Sequence, residues 1–197
     1  MKKSKFSERS IFLLLIQKFI SFRITIHEYI DCSLENASAI TSRLITSKPT
    51  VMYIHGFSEN VEKKSVQTIV EGEYIKMTCN IYFKKDINYF YVSAYLKRND
   101  HNIIAVDYSK FANDSYVTVA RNAPHVANAL TMILDKMTKM DFDIEKLHLI
   151  GHSMGSQISG YIGRKVNFKI PRITGENPEV QFLSADFYFD FNHIIYA

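Results

Sequence analysis

Residues 147–155 read LHLIGHSMG, an apolar run that leads directly into the pattern Gly-x-Ser-x-Gly. When such a strand turns sharply into a helix, the turn exposes the hydroxyl of its serine, which is Ser153 here. The flanking glycines keep the turn clear of the neighbouring strand and helix, and the backbone N–H of Met154 faces the place where an oxyanion would form. The stretch therefore predicts a nucleophilic serine at the end of a strand. The alternative is a turn of small residues whose hydroxyl has no chemical role.

Two other runs have the same character as the strand at 147–150. Residues 50–54 read TVMYI and residues 102–106 read NIIAV, and each run ends near a Gly or Asp, as buried parallel strands do. After Pro124, apolar residues recur at three- and four-residue spacing, which predicts a helix between the second and third strands. Strand–helix–strand units build a parallel sheet whose functional residues lie at the carboxyl ends of the strands. The predicted fold class is therefore α/β, with a mostly parallel central sheet flanked by helices.

The first strand ends in a turn that suits the same chemistry. Residues 53–57 read YIHGF, and a His-Gly-aromatic turn at this place supplies a second backbone donor, the N–H of Phe57. Each preorganised donor of this kind contributes about 3–4 kcal/mol to transition-state stabilisation. We expect His55 to hold the turn through hydrogen bonds rather than to act as a base.

Composition indicates one globular domain over residues 1–197, because 47% of the residues are hydrophobic and 22% are charged. The formal net charge of +4 is spread along the chain, so no nucleic-acid site is predicted. Cys32 and Cys79 show neither metal-ligand spacing nor a dense disulfide framework. The sequence predicts no metal site and no cofactor.

The first 20 residues resemble the beginning of a signal peptide. Residues 1–10 are basic and residues 11–16 read IFLLLI, but Gln17 and Lys18 interrupt the apolar run and no clear cleavage site follows. The segment is therefore interpreted either as a degraded signal peptide or as a genuine one. No stretch approaches the ~20 apolar residues that span a bilayer, so no transmembrane segment is predicted.

Residues 71–92 interrupt the regular order of the chain. Fourteen of these 22 residues are Phe, Tyr, Ile, Asn or Lys, which have A/T-rich codons, and no helical or alternating pattern is present. Without them, residues 65–70 and 93–97 would join into one amphipathic helix. We interpret the segment as a non-native insertion, a translated intron that begins near Gly72-Glu73. The alternative is a genuine surface loop, since long loops cost little entropy.

Four stretches together resemble the pancreatic lipase family, and most closely its insect lipases and A1-type phospholipases. They are residues 49–60 (PTVMYIHGFSEN), 101–109 (HNIIAVDYS), 147–163 (LHLIGHSMGSQISGYIG) and 171–178 (PRITGENP). The resemblance implies an α/β-hydrolase fold, incomplete at its C-terminus in this chain, in a secreted protein. It also implies hydrolysis of a lipid ester at a membrane or lipid interface. Ser153 would be the nucleophile, and the N–H groups of Phe57 and Met154 would form the oxyanion hole.

Two departures from the family pattern concern the acid and the base. The family has Asp before the proline of its Ile-Thr-Gly-Leu-Asp-Pro stretch, whereas this chain has Asn177, and the adjacent Glu176 points differently on a strand-like segment. The family's histidine base would lie beyond Ala197, and His193 matches a structural histidine of the family, so the base is either absent from this chain or His193. The leading hypothesis is a serine carboxylic ester hydrolase. The alternative is a catalytically inactive lipase-like protein that binds lipid or a partner in the same cleft.

Overall fold

The computed structural model describes residues 20–23, 37–61, 63 and 100–176, which contain five strands in one sheet. The strands are β1 (Ser21–Arg23), β2 (Thr50–Ile54), β3 (Asn102–Asp107), β4 (Leu147–His152) and β5 (Arg172–Glu176). Their order across the sheet is β1-β3-β2-β4-β5. β3, β2, β4 and β5 run parallel, whereas β1 pairs antiparallel with β3 at one edge. The mostly parallel sheet predicted from the sequence is confirmed.

The central strands are apolar because both faces of the sheet are covered. All five residues of β2 are buried. Met52 and Ile54 belong to the larger core on one face, whereas Val51 and Tyr53 pack in a smaller cluster on the other face. The side chains thus alternate between the faces as the pleat requires, although the sequence of the strand shows no polar alternation.

The helices of the described ranges are α1 (Ala37–Thr41), α2 (Ser109–Ala112), α3 (Tyr116–Thr138) and α4 (Met154–Lys165), with a 3₁₀ turn at Ile144–Lys146. The start predicted for α3 after Pro124 is wrong, because Pro124 lies inside the helix. The helix begins at a cap, where the Ser115 Oγ accepts a hydrogen bond from the Thr118 N–H at 3.3 Å. Proline removes one helical hydrogen bond but keeps a helical φ, and the buried Val119 and Ala123 hold the preceding turns against the core.

Helix α4 lies close to the sheet because its inward residues are small. Gly155, Ser156, Ser159 and Gly160 are all buried. The Ser159 hydroxyl donates to the Gly155 carbonyl at 2.9 Å, so its polar atom is satisfied within the helix. The small-residue face predicted for this helix is therefore present. In the described ranges, no helix is both long and apolar enough to cross a membrane.

Several sequence predictions fall on residues that the structure does not describe. The signal-like segment up to residue 19, the proposed insertion at 71–92, and Cys32 and Cys79 all lie outside the described ranges. Ile20, the last residue of the signal-like segment, is described and is buried in the core.

Candidate active site

Ser153 occupies a strained backbone conformation between β4 and α4. Its φ is 50° and its ψ is −115°, a region that residues with a Cβ rarely adopt and that costs about 1–3 kcal/mol. The turn is held by two hydrogen bonds: the Ser156 N–H donates to the Ser153 carbonyl at 2.9 Å, and the Ser156 hydroxyl donates to the Gly151 carbonyl at 2.7 Å. The strand therefore reverses sharply into the helix at the serine.

The two glycines of the Gly-x-Ser-x-Gly pattern are required by close backbone contacts. A Cβ at Gly155 would overlap the carbonyl oxygen of Ile54 and lie 2.6 Å from the carbonyl oxygen of His55. A Cβ at Gly151 would overlap the carbonyl of Gly155. These obstacles are backbone atoms, which cannot move aside as a flexible side chain can. The contacts also bring the start of α4 directly against the end of β2.

A buried histidine holds the turn that follows β2. His55 is fully buried, and its Nδ1 lies 3.0 Å from the Gly56 carbonyl while its Nε2 lies 3.3 Å from the Tyr108 backbone nitrogen. Because a carbonyl only accepts and a backbone N–H only donates, the proton is assigned to Nδ1. The Tyr108 ring stacks on the imidazole at 4.2 Å, and its hydroxyl donates to the His55 carbonyl at 2.7 Å. His55 therefore holds the turn, as its sequence context predicted.

Burial raises the pKa of Tyr108, and the negative charge of Glu59 raises it further. The hydroxyl therefore stays protonated and remains a donor to the His55 carbonyl. This bond ties the end of β3 to the turn after β2.

Hydrogen bonds to its carbonyl fix the orientation of the peptide group between Gly56 and Phe57. Its carbonyl accepts hydrogen bonds from the His55 Nδ1–H and from the Glu59 N–H, at 3.0 and 3.4 Å. The peptide is trans, so the Phe57 N–H points away from that carbonyl. The Phe57 ring meets Tyr116 edge to face at 5.3 Å. Among the described residues, the Phe57 N–H has no acceptor.

The register of the sheet brings the two turns together at the carboxyl ends of the parallel strands, which we call the carboxyl edge of the sheet. β2 and β4 are parallel neighbours with Ile54 opposite Gly151, so Phe57 and Ser153 both follow the carboxyl ends of adjacent strands. Met154 is the first residue of α4, where a backbone N–H has no partner within the helix. The turns are also linked through Glu59, whose Oε2 accepts from the Gly56 N–H at 2.6 Å and lies 3.0 Å from the His152 Nδ1.

The acid and base positions are not described. Asn177 and His193 lie outside the described ranges. The preceding residue, Glu176, pairs with His152 at the carboxyl end of β4, so the backbone of β5 reaches the edge that carries Ser153. The role of Asn177 therefore stays a prediction.

Two contributors to this edge, Tyr108 and Glu59, were missed by sequence reasoning. Glu59 follows Gly56 by three residues, the spacing at which a carboxylate returns to a backbone N–H in a capping box, and this was the available signal. The role of Tyr108 depends on the pairing of β3 with β2, for which the local sequence offers no sign. No cluster of three or more metal-ligating side chains occurs in the part of the chain that is described.

A serine on a strained strand–helix turn, beside a His-Gly-aromatic turn on the neighbouring parallel strand, defines an α/β-hydrolase. Comparison with known families agrees, since the model of the Lipase family matches residues 17–185. The chain therefore belongs to the pancreatic lipase family, as its motifs predicted.

Similar proteins are lipases and a phospholipase of vertebrates. The chain is 39% identical to lipase member H of Danio rerio over 89 residues, which is 45% of this chain and 20% of the relative. It is 33% identical to pancreatic lipase-related protein 2 of Mus musculus over 78 residues, 39% of this chain and 16% of the relative. Phospholipase A1 member A of Rattus norvegicus is 27% identical over 88 residues, which is 45% of this chain and 19% of the relative. The matched part of the chain thus spans about a fifth of these relatives.

The chain is also similar to the solved structure of Est1E from Butyrivibrio proteoclasticus, with a TM-score of 0.41 and 14% identity, covering 66% of this chain and 40% of that chain. A second solved structure, that of Francisella virulence factor BioJ, has a TM-score of 0.41 and 14% identity, and the similarity covers 72% of this chain and 40% of that chain.

Proposed function

We propose that this chain carries the nucleophile and the oxyanion hole of a lipid carboxylester hydrolase. The Ser153 Oγ attacks the ester carbonyl, and its proton passes to a base. The carbonyl oxygen becomes an oxyanion that accepts hydrogen bonds from the N–H groups of Phe57 and Met154. The alcohol then leaves, and water hydrolyses the acyl-enzyme to release the acid and free serine.

The observation that carries the proposal is the strained turn at Ser153, at φ 50°, between two glycines that backbone contacts require. Backbone strain at a residue with a Cβ persists only where the surrounding structure enforces it, and it is concentrated at functional sites. The N–H groups of Phe57 and Met154 lie on the same sheet edge, and neither has an acceptor among the described residues. Membership of the family supports a lipid ester as substrate, and action at a lipid interface and secretion are parts of the same proposal.

A second candidate is favoured by one residue, Asn177. An amide at the acid position can hold an imidazole, but it cannot stabilise an imidazolium, and such a replacement has lowered rates by about 10⁴-fold in a serine protease. In an inactive lipase-like protein that binds lipid or a partner through the same cleft, this residue would not impair function, because no imidazolium has to be stabilised.

Covalent labelling of Ser153 distinguishes the two candidates. The purified chain is incubated with a 4-nitrophenyl alkylphosphonate, whose phosphorus bonds to the Ser153 Oγ as 4-nitrophenolate leaves and the serine proton is lost to solvent or a base. The tetrahedral product resembles the oxyanion intermediate. Intact-mass spectrometry measures the extent of labelling, and the absorbance of nitrophenolate measures its rate.

We expect slow labelling at one site, absent in Ser153→Ala and unchanged in Ser42→Ala, which alters an exposed serine of the turn after α1. Asn177→Asp should accelerate it by up to about 10⁴-fold if a histidine base is present. Labelling that is equal in the wild type and in Ser153→Ala would refute the enzymatic proposal and leave the binding protein as the conclusion.

A further inference from the structure

We propose that Glu59 is a positioning residue, which aims the Phe57 N–H at the oxyanion and joins the oxyanion turn to the nucleophile turn. The inference rests on the proposed function of Ser153 and Phe57.

A single carboxylate oxygen connects the two turns. Glu59 Oε2 accepts the Gly56 N–H at 2.6 Å and lies 3.0 Å from the His152 Nδ1, whose N–H donates to it. The side chain of Glu59 is 16% exposed and that of His152 is 30% exposed, so both bonds are partly shielded from water. Gly56 precedes the predicted oxyanion donor and His152 precedes the predicted nucleophile, so the link joins their immediate neighbours.

Gly56 is the residue that makes this contact fit. A Cβ there would stand 3.0 Å from the Glu59 Oε2 and 3.0 Å from the His152 Nδ1. The absence of a side chain lets the carboxylate and the imidazole approach the backbone of the turn. It also leaves the glycine backbone with more freedom than any other residue, so the direction of the next peptide depends on the bonds that hold Gly56.

Glu59 supplies bonds on both sides of Gly56. Its carboxylate binds the Gly56 N–H, and its own N–H donates to the Gly56 carbonyl at 3.4 Å. Without the carboxylate, the peptide that bears the Phe57 N–H is held by this longer bond and by His55. Because an oxyanion donor is effective only when it is aimed in advance, loss of the Glu59 carboxylate should slow the reaction of Ser153 while the fold persists.

The experiment compares phosphonate labelling of Ser153 in the wild-type chain and in Glu59→Ala, Glu59→Gln and Glu145→Ala. Glu145 lies on the 3₁₀ turn before β4, at the opposite edge of the sheet, and is the matched control. Removal of an oxyanion donor costs about 10²–10³-fold in rate, so misdirection of Phe57 in Glu59→Ala should slow labelling by roughly tenfold to a hundredfold. Glu59→Gln should slow labelling only a few-fold, because the amide oxygen of glutamine can accept both of the hydrogen bonds that Glu59 Oε2 accepts. Glu145→Ala should label at the wild-type rate.

Amide hydrogen exchange separates positioning from general loss of structure. In Glu59→Ala, exchange at Gly56 should become faster, whereas exchange at the buried Leu130 of α3 should stay unchanged. Glu59→Gln should restore most of the protection at Gly56. A purely structural role would instead accelerate exchange at both residues together.

Besides faster exchange at both Gly56 and Leu130 in Glu59→Ala, three labelling results would overturn the inference. Labelling of Glu59→Ala at the wild-type rate would overturn it alone, with the proposed function intact. Equal loss in Glu59→Ala and Glu59→Gln would assign the effect to charge and refute positioning through the shared oxygen. A wild-type chain whose Ser153 is not labelled would overturn the proposed function and, with it, this inference.

Discussion

Replacement of Ser153 by glycine should remove the proposed nucleophile and stabilise the fold at the same time. The serine holds φ 50° and ψ −115°, which resembles the first central position of a type II′ turn, where glycine is strongly favoured. Glycine adopts this conformation without the Cβ clash, so the strain of the native turn is released. Ser153→Ala keeps the Cβ and should keep the strain.

The size of the effect follows from two opposing contributions. Relief of a sparsely populated conformation contributes about 1–3 kcal/mol, while the added freedom of glycine in the unfolded chain costs about 0.4–1 kcal/mol. The net stabilisation is therefore about 1–2 kcal/mol. For a chain of 150–250 residues, each kcal/mol shifts Tm by about 2–4 °C, so Tm should rise by about 2–8 °C.

Urea denaturation and thermal unfolding of the wild type, Ser153→Gly and Ser153→Ala measure this difference. Ser159→Gly is the matched control, because Ser159 lies inside α4 with its hydroxyl bonded to Gly155, and glycine there should destabilise the helix. The reasoning is refuted if Ser153→Gly is no more stable than Ser153→Ala.

Three further changes test other parts of the edge and the sheet. Gly155→Ala should cost about 3 kcal/mol or more, because its Cβ would overlap the Ile54 carbonyl and backbone must move; wild-type stability in urea would contradict the contact. Burial holds the pKa of His148 at about 4, below its ordinary 6.5, so the unfolded chain takes up the proton first and stability should fall by up to about 3 kcal/mol as the pH drops from 6.5 to 4. Urea unfolding at pH 7 and pH 4.5 measures this loss, and His148→Gln should lose correspondingly less; equal losses would assign the pH dependence elsewhere. Tyr108→Phe keeps the stacked ring but leaves the buried His55 carbonyl without its 2.7 Å donor, and calorimetry should record a loss of about 1–3 kcal/mol, whereas no loss would mean that the bond is dispensable.

Local patterns in the sequence predicted the strands and the turns of this site. β2 begins and ends where its apolar run does, and β3 and β4 extend one and two residues beyond theirs, at Asp107 and His152. The start of α3 was predicted wrongly, because the prediction took Pro124 as the beginning of the helix. The helix instead begins after its cap at Ser115, and the apolar residues before the proline belong to it. The true start depends on burial of Val119 and Ala123 against the core, which a proline rule does not include.

The sequence by itself determined the strained turn at Ser153, because a turn that packs this closely against backbone atoms requires glycine at fixed spacing and so leaves a local sequence pattern. Only the tertiary structure decided how that turn is joined to the turn at Phe57. The bond from His152 to Glu59 spans 93 residues, and the bonds between His55 and Tyr108 span 53. Such contacts exist because β2 lies between β3 and β4 in the sheet, and strand order depends on the packing of the whole sheet rather than on the residues of any one turn.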